Sequence, residues 1–130
     1  MKKILTDKEK QLIIECKILL KDNPSIKKRK LTAIKDLEKR LYYIKVWSIT
    51  ESQPLHVLRN HDKRCFRGKS CYHLDHIIPI VYGYNNRIPP EKIGGMTNLR
   101  FIKSERNMRK GHKLTTESHR VLKKIKRKRL

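Results

Sequence analysis

Two short β-prone segments, 72–77 and 99–102, stand out from a chain whose other periodic stretches read as helix, and 21 residues (77 to 97) lie between His76 and Asn98. That gap is long for two strands of one hairpin. Pro79 removes a ladder donor and ends the first strand early. Gly83, Pro89, Pro90, Gly94 and Gly95 make the gap an ordered excursion without secondary structure of its own. Tyr82, Tyr84 and Arg87 either reach a partner from it or pack back on the loop.

Helical patterns flank this region. Thr6 and Glu9 fit a capping box, and Ile13, Cys16 and Leu20 recur on one face, giving a first helix to about Asp22. Asn23 and Pro24 read as its stop and as the N-cap and first position of a second helix. On that helix Ile34, Leu37, Leu41 and Ile44 form one face, Lys35, Lys39 and Arg40 face away, and the end falls near Trp47. The pair is a helical hairpin, expected to pack on the rest of the chain or on a second copy. The run Lys27, Lys28, Arg29 and Lys30 reads equally as a phosphate-contacting patch, a nuclear address or a solvated helix start. Periodicity fades from 50 to 70, where Pro54 and Gly68 mark a connecting region. Further on, Ser104 caps a helix that Gly111 terminates, and Thr115 or Thr116 opens a last helix carrying Val121, Leu122 and Ile125. Residues 126–129 form a frayed basic tail. The expected class is α+β in one compact domain: a helical region over 1–57, a strand-loop-strand-helix module over 58–113, and a basic helix and tail over 114–130.

Charge names the partner class. The 34 Lys and Arg against 12 Asp and Glu leave a formal +22, which opposes compaction unless an anionic partner neutralises it. Nucleic acid is the natural partner. No apolar run is long enough to span a membrane, and Asp7 and Glu9 interrupt what would be the apolar part of a signal peptide behind Lys2 and Lys3. An intracellular protein is expected, and the odd number of cysteines, three, agrees with a reducing compartment rather than a disulfide framework.

Asp75, His76, Asn98 and Asn107 supply a carboxylate, an imidazole and two carboxamides. Phosphodiester hydrolysis needs a nucleophile made from water, relief of charge on the phosphoryl oxygens and help for the departing oxygen. An imidazole is neutral and basic near neutral pH and can take the water's proton. Asp75 and Asn107 both offer oxygen, which suits a hard divalent cation such as Mg²⁺ or Mn²⁺. Neighbouring strand residues point to opposite faces, so Asp75 and His76 share a site only if the strand ends or bends there. Asn98 is placed to hydrogen-bond across the loop and fix the orientation of His76.

The segments Asp75-His76-Ile77-Ile78-Pro79, Asn98-Leu99 and Asn107-Met108-Arg109-Lys110-Gly111 resemble the HNH, or ββα-metal, nucleases in their Asp-His, Asn, Asn form, as in phage homing and nicking endonucleases. The likeness covers residues 58–113. It implies His76 as general base, Asp75 and Asn107 as metal ligands, Asn98 as the residue that positions His76, and products with a 5′-phosphate and a 3′-hydroxyl. It further implies a phage-type enzyme nicking double-stranded DNA as a monomer in a bacterial cytoplasm; a monomer or a homodimer remains open. Arg100, Lys103, Arg106, Arg109, Lys110 and Lys113 are the expected contacts to the phosphate backbone. The competing class is a non-catalytic nucleic-acid-binding protein that keeps the fold without turnover.

Two departures from the family bear on the metal. Where many members carry a second helix histidine this chain has Gly111, with His112 on another bearing, so oxygen donors and Mg²⁺ are favoured over Zn²⁺. A structural zinc is not expected either. Cys65 and Cys71 lack a downstream pair, and recruiting His61 or His73 would give unusual spacing; buried or hairpin thiols are the simpler expectation.

Overall fold

The computed structural model describes residues 4–24, 26, 31, 34–65 and 71–127. Among them are six α-helices and a two-stranded antiparallel sheet, an α+β architecture.

Helix α1, Asp7–Asp22, begins with the expected capping box: Thr6 Oγ1 accepts from the Glu9 amide at 3.1 Å, and Glu9 Oε1 accepts from the Thr6 amide at 3.2 Å. Asn23 closes this helix instead of opening the next, its side-chain amide donating to the Leu19 carbonyl at 2.8 Å. Helix α2, Leu37–Ser52, carries the later part of the expected second helix and runs on past Trp47. Its N-cap is Asp36, whose carboxylate accepts from the Glu38 and Lys39 amides. Arg40 turns back and donates from Nε and Nη2 to the Ile34 carbonyl rather than facing away. The basic run at 27–30 lies outside the described residues.

Two faces of α2 are buried, and this places it at the centre of the molecule. Leu41 and Ile44 pack with Cys16, Ile26 and Leu31, completing the hairpin with α1. Val46 packs with Ile78, Ile80, Ile93, Val121 and Ile125 from the rest of the chain. The run Val46 to Thr50 therefore continues the helix past Trp47, because burial against a second core offsets the weak helix propensity of its β-branched residues.

Strands β1, Tyr72–His76, and β2, Leu99–Lys103, pair in antiparallel register with Asp75 opposite Arg100 and His76 opposite Leu99. The intervening stretch is not free of secondary structure. It forms α3, Ile80–Asn85, then α4, Pro90–Ile93, then a single 3₁₀ turn, Met96–Asn98. Its glycines serve close packing rather than chain breaking. A β-carbon on Gly83 would lie 2.5 Å from Tyr42 Oη and 2.7 Å from Ile93, and one on Gly94 would lie 2.7 Å from the Val46 carbonyl. Tyr82 packs on the core, Tyr84 stacks edge-on against Tyr42, and Tyr42 donates to the Ile88 carbonyl at 2.7 Å. The excursion is thus fastened to α2 and returns the chain to pair with β1.

Helix α5, Ser104–Lys110, follows β2 directly. Ser104 is its first residue and makes no side-chain cap; its amide instead bonds the Cys71 carbonyl at 2.8 Å. Gly111 ends the helix at φ +54°, where a β-carbon would be strained. Helix α6, Thr116–Arg127, is opened by reciprocal bonds between Thr115 and Ser118, and Ser118 also donates to the Ile77 carbonyl at 2.6 Å. Of the tail expected over 126–129, residues 126 and 127 belong to α6, and residues 128–130 lie outside the described residues. Among the described residues no helix is long and apolar enough to cross a membrane. Cys65 and Cys71 are joined by a disulfide where free thiols were expected, and Cys16 is a free cysteine.

Candidate active site

β1 and α5 border a cleft of about 520 Å³ lined by His73, Asp75, His76, Asn107, Lys110 and His112, with Trp47 and Glu51 of α2 also lining it. Three of the four residues singled out from the sequence, Asp75, His76 and Asn107, meet there. β1 ends at His76, so neighbouring side chains that leave opposite faces of the strand still border one space.

Asn98 stands behind the cleft, fully buried. Its Oδ1 accepts from the Ile78 amide at 2.6 Å, and its Nδ2 donates to the carbonyls of Ile78 at 3.1 Å and Ile93 at 2.8 Å. The backbone adds a bond from the Ile77 amide to the Asn98 carbonyl at 2.8 Å. The expected bond across the loop is present. It holds the backbone that follows His76 and does not touch the imidazole.

The imidazole is held from α2. His76 Nε2 lies 2.9 Å from Thr50 Oγ1, and the ring meets the edge of Trp47 at a centroid distance of 4.9 Å and an interplanar angle of 86°. Burial removes water that would stabilise the charged ring, pushing the pKa down to about 4; Asp75 opposes this shift and Lys110 adds to it. His76 is therefore neutral near neutral pH. Among the described residues Nδ1 has no hydrogen-bond partner, and no buried side-chain nitrogen or oxygen there is left unpaired, so Nδ1 keeps some exposure on a residue that lines the cleft.

Asp75 is buried and accepts from two cations at once. Arg100 Nε donates to Oδ2 at 2.9 Å, and Lys110 Nζ donates to Oδ1 at 2.9 Å and to the His76 carbonyl at 2.9 Å. These two basic residues, expected on the DNA face, point inward instead. A lysine at the last position of α5 reaches the strand because Asp75 offsets the cost of burying its charge. Asn107 does not contact Asp75; its Nδ2 lies 3.4 Å from Nδ1 of His73.

Of the remaining basic candidates, Lys103, Arg109 and Lys113 are exposed, and Arg106 is exposed but bridged to Glu117 at 3.0 Å. Asp75 and Asn107 both line the cleft and carry oxygens of the kind a hard divalent ion takes. Charge is the obstacle, because the Lys110 ammonium has to leave Oδ1 before a second cation can take it. Among the described residues no group of three or more His, Cys, Asp or Glu side chains converges to hold a metal. The disulfide leaves Cys65 and Cys71 without thiolates to offer zinc.

Thr50, Trp47 and the inward turn of Arg100 and Lys110 were not read from the sequence. Thr50 sits on a helix whose visible stripe points to α1, and a salt partner 35 residues away leaves no local spacing. Comparison with family models, curated proteins and solved structures found no match.

Proposed function

We propose that this chain is a metal-dependent DNA endonuclease of the HNH kind, hydrolysing phosphodiester bonds and nicking as a monomer. The observation that carries the reading is the convergence of Asp75, His76 and Asn107 on one cleft, in a chain of formal charge +22. His76, neutral, lining the cleft and with Nδ1 partly exposed, takes the proton of the attacking water. Asp75 and Asn107 would hold Mg²⁺ or Mn²⁺, which when bound supplies positive charge to the phosphoryl and departing oxygens. Asn98 keeps the His76 backbone in place, and Lys103, Arg109 and Lys113 present exposed charge to the phosphate backbone of double-stranded DNA. One site per chain cuts one strand per encounter.

A second reading, a nucleic-acid-binding protein without turnover, is favoured by one observation: both oxygens of Asp75 are already paired to cations. Nicking of supercoiled plasmid with Mg²⁺, with chelator and with Asn107→Ala separates the two. The nuclease reading expects chelator to stop nicking and Asn107→Ala to need more Mg²⁺ while DNA binding persists. Binding without nicking at any Mg²⁺ or Mn²⁺ concentration would establish the second.

A further inference from the structure

Thr50 lies on the last turn of α2, fully buried, 26 residues before the imidazole it touches. Its hydroxyl carries a single hydrogen. Oγ1 is 2.8 Å from the Val46 carbonyl, which can only accept, and 2.9 Å from His76 Nε2. Satisfying both contacts leaves one arrangement: the hydroxyl donates to Val46, and Nε2–H donates to the hydroxyl. The neutral ring then carries its proton on Nε2 and a bare lone pair on Nδ1, the nitrogen that keeps some exposure. Trp47, one turn earlier on the same helix, fixes the ring plane from its edge.

We infer that Thr50 is a positioning residue: its hydroxyl sets the tautomer of His76 so that Nδ1 is the basic nitrogen. As a role in catalysis this rests on the nuclease reading; as a statement about the ring it does not. The helical hairpin is then a working part of the site, since it supplies the second contact that a general base needs to keep one orientation and one tautomer.

Thr50→Val keeps the shape of the side chain and removes the hydroxyl; Thr50→Ser keeps the hydroxyl. Long-range proton–nitrogen NMR of ¹⁵N-histidine-labelled full-length protein reads the tautomer directly. Wild type and Thr50→Ser are expected to show Nε2 protonated and Nδ1 bare, whereas Thr50→Val shows a mixture or the reverse. In the Mg²⁺ nicking assay Thr50→Val should lose roughly 10- to 100-fold, with Thr50→Ser recovering most of it. A wild-type ring protonated on Nδ1 overturns the inference even if Thr50→Val fails to fold, and so does a Thr50→Val ring that stays protonated on Nε2. A wild-type protein with the Nε2–H tautomer that nicks nothing supports the assignment of the ring and overturns the nuclease reading alone.

Discussion

The ammonium of Lys110 lies 2.9 Å from Oδ1 of Asp75, so the carboxylate best placed to attract a metal already holds a cation supplied by the chain. Both side chains are buried, which makes the pairing costly to leave and weakly screened by salt.

Lys110→Met removes that cation while keeping an apolar stem of similar length. At an effective dielectric near 20, deleting a unit charge about 5 Å from an incoming ion changes its energy by a few kcal/mol. The variant should therefore bind Mn²⁺ at least about tenfold more tightly than wild type in the absence of DNA. Isothermal titration calorimetry gives the comparison, with circular dichroism to confirm folding. Equal or weaker Mn²⁺ binding by a folded variant contradicts the placement of the metal on Asp75.

Asn98→Ala tests what keeps the long excursion closed. The substitution leaves the Ile78 amide and the carbonyls of Ile78 and Ile93 without their side-chain partner in a fully buried place. An unpaired buried group costs about 1–3 kcal/mol, so the loss should reach about 3–5 kcal/mol with partial relaxation. Urea denaturation reads it. A loss under about 1 kcal/mol would mean that the backbone finds other partners.

Stability should also depend on pH through His76. Its folded pKa is about 4, below the ordinary histidine value of 6.5. As pH falls below about 6.5 the unfolded chain takes up the proton and the folded one does not, so stability is complete above that pH and declines toward about 4. The decline is at most on the order of 3 kcal/mol, since a ring bordering a cleft keeps some access to water. Denaturant titrations of wild type and His76→Gln across this window isolate the contribution. It is absent if both proteins lose stability in parallel.

The parts legible in the sequence are those set by local chemistry. The capping box at Thr6 and Glu9 marks the start of α1, Gly111 ends α5, and the short β-prone strand 72–76 stops before Pro79. The helices of the excursion are not legible because Gly83 and Gly94 look like breakers in the sequence, yet their missing β-carbons let two short helices pack on α2. Long-range pairings left no trace either: Lys110 and Arg100 carry the signature of a DNA face, and only the fold reveals that Asp75 draws both inward. Thr50 was hidden for the same reason, since the second buried face of α2 exists only once the module packs against it.

In the proposed nuclease reaction His76 removes the proton from a water that attacks DNA. The most direct measurement is the rate at which supercoiled plasmid becomes relaxed in Mg²⁺, for wild type and for His76→Ala of matched DNA affinity. Wild type is expected to nick and the variant to be slower by roughly 10²- to 10⁴-fold. Nicking at an unchanged rate by His76→Ala would contradict this role.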